Sequence, residues 1–194
     1  PSRPDGLPYI SKDGEVNPEI FDYDRYPLGQ MVDRVIALTL AWYFSGEERY
    51  AVEATKQVRV WFLDEATRMN PNLEYSQVVM GKDNNKGRSS GLIDTYSFIE
   101  MLEAVTLLEK SHSFTGVDSK ALKAWFERLT EWMLTSPQGK KEATSVNNHS
   151  VSYDTQIIAF ALYSGNRGLA EKTIKAFPER RLFRQVEPDG SQPQ

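Results

Sequence analysis

The sequence predicts an all-α protein built of antiparallel helical hairpins, stacked as a solenoid or as an incomplete (α/α) toroid. Two observations carry this expectation. Apolar residues recur at helical spacing in segment after segment. A short motif also returns three times: Tyr43-Phe44-Ser45-Gly46 with Ala51, Phe114-Thr115-Gly116 with Ala121, and Tyr163-Ser164-Gly165 with Ala170. Each instance reads as a helix stopped by glycine, followed by a small residue that lets the next helix approach closely. Three hairpins hold too many helices for a four-helix bundle, the plainer alternative.

The elements follow in order. Residues 1–26, with prolines at 1, 4, 8 and 18, read as an extended lead-in, and Asn17-Pro18 reads as a helix start. From Leu28 the pattern is helical, with Met31, Val35, Leu38 and Trp42 on one side and Gly46 as the stop. A second helix from about Glu47 to Leu63 carries Tyr50, Ala54, Val58 and Trp61 on one stripe. Residues 70–91 hold asparagines, glycines and a proline, and read as a long functional loop. Helix returns from Leu92 to Lys110, then from Asp118, as cap, to Thr135, with Leu122, Trp125, Leu129 and Met133 facing one way. After a polar stretch, two more helices are expected, from Ser150 to Tyr163 and from Arg167 to Phe177. The chain is read as a single domain over residues 1–194. Its last segment, Glu187 to Gln194, is a loop with no capping helix after it, so the array is expected to continue beyond this chain.

Composition narrows the function. Apolar residues at 40% and charged residues at 26% are ordinary for a globular chain. A net charge of −4 lacks the basic excess of a nucleic-acid binder, so any polyanion must be gripped by a local cluster of Arg and Lys. There is no cysteine, and the two histidines cannot make a three-histidine zinc centre. No apolar run reaches the roughly 18 residues of a membrane span, so no membrane partner is expected. The opening Pro-Ser-Arg-Pro has no charged-then-apolar leader.

Asn147-Asn148-His149-Ser150 is the sharpest chemical feature. One reading makes an Asn the cap of the next helix and leaves His149 solvated in its first turn. The other makes the amide and imidazole a site, because Tyr153 and Gln156 follow His149 at i+4 and i+7 on a helix that is otherwise apolar. In the long loop, Tyr75, Gln77, Lys82, Lys86 and Arg88 could grip a sugar carboxylate, since Arg forks onto carboxylates in bidentate fashion. The same loop could equally be ordinary solvated chain. His112 reads as an exposed turn residue, Lys140-Lys141 as a surface pair, and the four tryptophans as core. Asp94, Asp154 and Asp189 are candidates for the paired carboxylates of a glycosidase, but their spacing singles out no pair.

These motifs together resemble the alginate lyase superfamily. The resemblance rests on Asn147-Asn148-His149-Ser150 with Tyr153-Asp154 and Gln156, and on Tyr75-Ser76-Gln77 with Gly81. The run Gly87-Arg88-Ser89-Ser90-Gly91-Leu92-Ile93-Asp94-Thr95 and the segment Met69-Asn70-Pro71-Asn72-Leu73 extend it. It implies an α/α-toroid domain, β-elimination on alginate or a related uronate polymer, and no metal or other cofactor. Carried over by residue, Asn148 neutralises the substrate carboxylate and His149 takes the proton. Gln77 and Arg88, with Tyr75, Tyr153 and Gln156, line the cleft. The family's catalytic Arg and Tyr follow the segment that here reads Pro188 to Gln194, so this chain alone is expected to turn over little. A large polymeric substrate implies a periplasmic or secreted protein. A glycoside hydrolase on the same toroid and a non-catalytic helical scaffold for glycan or protein are the competing readings.

Overall fold

The computed structural model describes residues 12, 15 and 18–192. Most of the expected lead-in lies outside them, as does the predicted cap Asn17. Pro18–Asp22 forms a short 3₁₀ turn. Seven α-helices of six residues or more follow: α1 (Arg25–Ser45), α2 (Glu48–Val58), α3 (Phe98–Leu108), α4 (Gly116–Thr135), α5 (Pro137–Glu142), α6 (Asn148–Ser164) and α7 (Arg167–Phe177). Among the described residues there is no β-strand.

Helix α1 packs on both α2 and α3, α4 packs on α6, and α6 on α7. This places antiparallel hairpins side by side, as in an open stretch of an (α/α) toroid. Glycine closes two of the three predicted hairpins as expected. Gly46 (φ 73°) and Gly165 (φ 89°) adopt the left-handed conformation that a Cβ disfavours, and the Gly46 N–H donates to the carbonyl of Trp42. Ala51 and Ala170 are buried behind them.

The middle repeat is different. Helix α3 stops at Leu108, and a longer connection carries the chain to Thr115, so Gly116 opens a helix rather than ending one. Ala121 is accordingly exposed. Thr115, not Asp118, is the cap. Its hydroxyl accepts from the Asp118 N–H while the Asp118 carboxylate accepts from the Thr115 N–H, a reciprocal capping box.

The apolar stripe of α4 is buried as its spacing predicted, with Leu122, Trp125, Leu129 and Met133 inside. On α2 the predicted Ala54 and Val58 are buried, while Ala51 replaces Tyr50, which is half-buried, at the N-terminal end of the stripe. A π-helical turn, Arg59–Leu63, follows and places Phe62 rather than Trp61 in the centre of the core. There Phe62 meets Trp125 edge-on at 4.8 Å and Phe98 at 5.6 Å, while Phe126 meets Phe160 at 5.1 Å. This aromatic cluster ties α2, α3, α4 and α6 together. Trp125 is wholly buried, and Trp42, Trp61 and Trp132 pack against the same core.

The long connection between α2 and α3 is not structureless. Gly87 N–H donates to Glu74 O (2.7 Å) and Arg88 N–H to Ser76 O (3.0 Å), which closes residues 77–86 into a compact loop. A Cβ on Gly87 would strike the Ser76 backbone, and one on Gly91 would fall within 2.7 Å of the Ser76 side chain. These glycines are required by close approach of two chain segments, not by backbone angle. The loop ends in a 3₁₀ helix, Ser89–Thr95, that packs against α5 and α6.

After α7 the chain turns through Pro178–Leu182 and reaches α6 through two side chains. Arg181 forks onto the buried Asp154 carboxylate at 2.7 and 2.9 Å, and Gln185 donates to Ser150 Oγ at 2.8 Å. Both contacts brace the helix that carries His149.

Candidate functional site

The site is built at the corner between α5 and α6. Ser136 caps α5 by accepting from Gly139 N–H (3.0 Å), and Pro137 fills the first helical position, where a missing N–H does no harm. Gly139 lies against the Met133 carbonyl with no room for a Cβ, so α5 is seated tightly on the end of α4. This seating carries Glu142, the last residue of α5, into the interior at 2% exposure. Helix α6 then starts, with Asn147 as its cap: the Asn147 side-chain oxygen accepts from His149 N–H at 3.1 Å.

The helix-cap reading of the Asn-Asn-His motif is therefore correct for Asn147. For His149 it is incomplete. The imidazole turns back toward α5 and is only 27% exposed, with Nδ1 2.7 Å from Glu142 Oε1. With the carboxylate as acceptor Nδ1 is the donor, and the neutral tautomer that fits this contact has its lone pair on Nε2. Asn148 is exposed, and its side-chain amide makes no hydrogen bond among the described residues. An open base and an open amide thus stand together at a helix N-terminus, where the helix dipole favours an anion.

Tyr153 and Gln156 do follow His149 along α6, but that stripe faces inward. Tyr153 is 3% exposed and donates its hydroxyl to Met133 O at 3.0 Å. Burial, reinforced by the negative charge of Asp154, pushes its pKa up to about 12. Gln156 is fully buried: its side-chain oxygen accepts from Thr95 Oγ1 (2.7 Å) and its nitrogen donates to Ser152 O (3.3 Å). The Met133 carbonyl thus faces both the Tyr153 hydroxyl and Gly139, so Tyr153 holds the α4–α5 corner from the α6 side.

In the long loop, Gln77 adopts a left-handed backbone (φ 51°), uncommon for a residue with a side chain. Its Nε2 donates to Asp94 (2.9 Å), and its Oε1 accepts from Arg88 Nη2 (3.1 Å) and from Ser90 Oγ (3.2 Å). Its carbonyl accepts from Arg88 Nε (3.1 Å). Arg88 is exposed and forms no ion pair among the described residues. Tyr75, two residues before Gln77, is exposed. Lys86 is instead paired with Glu74 at 2.7 Å, and that hydrogen bond raises its pKa. Because the Ser89–Thr95 turn packs on α5 and α6, the loop and the His149 corner belong to one end of the molecule.

The other candidates separate from this site. His112 lies in the turn after α3, in an open cleft with Trp42, Glu48 and Lys110. That turn adjoins the C-terminal end of α6, where Tyr163 meets Glu109, so His112 lies roughly 20 Å from His149 along the helix axis. Lys140 and Lys141 are exposed. The glycosidase candidates do not form a pair: Asp94 is buried among donors, Asp154 is consumed by Arg181, and Asp189 sits in an exposed turn where the Ser191 N–H lowers its pKa. Glu142 is the residue that sequence reasoning missed. Within Lys140-Lys141-Glu142 it reads as part of a solvated charge run, and only the seating of α5 turns it inward.

Comparison with known proteins agrees with this architecture. No curated protein matches the chain. Among solved structures, a crystal structure of an alginate lyase from Bacteroides ovatus at 1.60 Å resolution superposes with a TM-score of 0.96 and 54% sequence identity. The match covers 99% of this chain and 50% of that one, so the chain spans about half the length of its solved relative. The alginate lyase family matches over residues 1–194. With the hairpin fold and the sequence match in agreement from end to end, the chain belongs to the alginate lyase family.

Proposed function

We propose that this chain carries the proton-abstracting and carboxylate-binding part of a polysaccharide lyase that cuts alginate or a related polyuronate by β-elimination. The single observation that supports it best is the Glu142–His149 pair beside the unengaged amide of Asn148. A proton next to a carboxylate is weakly acidic, so removing it requires a base and a fixed donor for the charge that develops. His149 Nε2 takes the C-5 proton. The electrons of that C–H bond become the C-4–C-5 double bond as the C-4–O bond breaks. The Asn148 amide holds the carboxylate as charge builds on it.

Glu142 accepts from Nδ1, keeps the lone pair on Nε2 and balances the imidazolium that forms, much as a carboxylate steadies the histidine of a hydrolase triad. Gln77, Arg88 and Tyr75 grip the neighbouring sugars. Tyr153 and Gln156 support the helix and do not touch the polymer. Tyr153 is not assigned as the acid for the leaving oxygen, because its hydroxyl is already given to Met133 and its proton is held more tightly than usual. The acid is assigned to none of the described residues, and the isolated 194-residue chain is expected to turn over little. The substrate's size supports export to the periplasm or beyond. Among the described residues no helix is long and apolar enough to cross a membrane.

Incubating the protein that carries this chain with mannuronate, guluronate and glucuronate polymers tests the reading. Absorbance from the conjugated double bond should rise with at least one polymer and vanish in His149→Ala. Reducing ends released without that absorbance would indicate a hydrolase, and unchanged elimination by His149→Ala would remove His149 as the base.

A further inference from the structure

The Asp94 carboxylate is only 6% exposed, yet it accepts hydrogen bonds from the adjacent Ser76 and Gln77 and forms an ion pair with Arg25 at the start of α1. Ser76 Oγ donates to Oδ2 at 3.0 Å, and Gln77 Nε2 donates to Oδ1 at 2.9 Å. Arg25 Nε approaches the same Oδ1 at 3.2 Å. Gln77 in turn holds Arg88 by its side-chain and backbone oxygens. The result is a continuous chain, Arg25–Asp94–Gln77–Arg88, in which one buried carboxylate sits between two guanidinium groups.

Three features of this chain are costly for stability alone. Gln77 is held in a left-handed conformation that a side chain disfavours. Arg25 opens α1, where a cation opposes the helix dipole. The charges do not cancel either, since two cations share one acid. Arg25 is half exposed, and its two terminal nitrogens have no partner among the described residues. Arg88 likewise keeps terminal N–H groups free.

We propose that Asp94 is a positioning residue, and that Arg25 joins Arg88 in a double-guanidinium clamp for the carboxylates of an acidic polysaccharide. Asp94 takes the inner edge of Arg25 directly and fixes Arg88 through Gln77, leaving both outer edges turned to the ligand. This rests on the lyase reading for the identity of the polymer, but the clamp itself is a binding device and is testable without turnover. It also explains how a chain of net charge −4 can hold a polyanion, through a local cationic excess held in place by Asp94 and Gln77.

The test is calorimetric binding of mannuronate, guluronate and glucuronate hexasaccharides, each against its carboxyl-reduced neutral counterpart. The proteins are the His149→Ala form of the protein that carries this chain, with and without Arg25→Ala, Arg25→Lys, Asp94→Asn and Arg88→Ala. At least one acidic hexasaccharide should bind and its neutral counterpart should not. Arg25→Ala should weaken acidic binding by roughly tenfold. Arg25→Lys should restore little of it, because lysine lacks the fork. Asp94→Asn should lose affinity in the Arg25-intact protein but lose little more once both Arg25 and Arg88 are alanine, the signature of action through the arginines. Should Asp94→Asn fail to fold, the exposed Arg25 variants decide. Wild-type affinity in Arg25→Ala, equal loss for neutral and acidic sugars, or no binding of any acidic hexasaccharide would overturn the proposal. If the clamp behaves as expected while no polymer is eliminated, the lyase reading fails and the clamp stands.

Discussion

His149 Nδ1 lies 2.7 Å from the Glu142 carboxylate, joining the first turn of α6 to the last residue of α5 across a buried contact. If Glu142 fixes the tautomer and balances the imidazolium, Glu142→Gln should lower kcat by about 10²-fold, within the usual range for an oriented base. KM should change little, because the amide does not touch the sugar. Steady-state elimination rates on the preferred polyuronate provide the check, and an unchanged kcat would reduce Glu142 to a packing residue.

Gly139 gives an independent handle on the same corner. A Cβ at that position would run into the Met133 carbonyl, a backbone atom that cannot swing away. Gly139→Ala should therefore shift α5, lower kcat and destabilise the protein together. Gly168, where a Cβ would meet only the Asn166 side-chain oxygen at an ordinary 4.0 Å, should accept alanine with neither effect.

Gln77 should show stability and binding moving in opposite directions. Gln77→Gly removes the left-handed strain and should leave stability equal or raised by up to about 1 kcal/mol. It also frees Arg88 and Asp94 from their shared partner, so KM should rise several-fold. Urea denaturation measures the first effect and substrate kinetics the second. Parallel loss of both would mean the loop needs Gln77 simply to fold.

The Asp154–Arg181 pair is buried on both sides, at 0% and 4% exposure. Removing one partner leaves the other charged and desolvated, so Arg181→Met should cost about 3–5 kcal/mol. Arg180 approaches the same carboxylate at 3.6 Å but is far more exposed, and Arg180→Met should cost less than about 1 kcal/mol. Comparable losses from the two variants would contradict the geometry.

Acid should act through Asp118. The Arg59 guanidinium, aided by the Thr115 hydroxyl and N–H, holds its carboxyl down from 3.8 to about 2. A lowered folded-state pKa contributes stability above pH 3.8, and that contribution drains away as the pH falls toward 2. Helical circular dichroism during acid titration should show the loss across this window. Asp118→Asn should be less stable at neutral pH and show a shallower acid slope.

Much of this was legible in the sequence, and what was not has a common cause. Local physics wrote the apolar stripe of α4, the glycine stops at Gly46 and Gly165, and the start of α6 at the Asn-Asn-His motif. Each depends on residues within one or two turns, so spacing alone reveals it. The middle repeat misled because Gly116 has the right neighbours but the connection before it is longer. After α2 the core residue is Phe62 rather than Trp61, because the π-helical turn at Arg59–Leu63 adds a rotation that an ideal period does not contain.

The sequence by itself determined the long helices, the glycine stops at Gly46 and Gly165 and the family, but not the short helix α5 or the Thr115 cap. Tertiary structure alone decided which polar residues face the site. Tyr153 and Gln156 share a helical face with His149, yet packing against α4 and the Ser89–Thr95 turn closes that face inward. Glu142 looks like the end of a charged surface run, yet a glycine seated on a carbonyl turns it toward His149. Arg25 and Arg88 are more than sixty residues apart and meet only through Asp94 and Gln77. Periodicity gives each side chain a direction from its own helix axis, whereas what lies in that direction is set by elements far away in the chain.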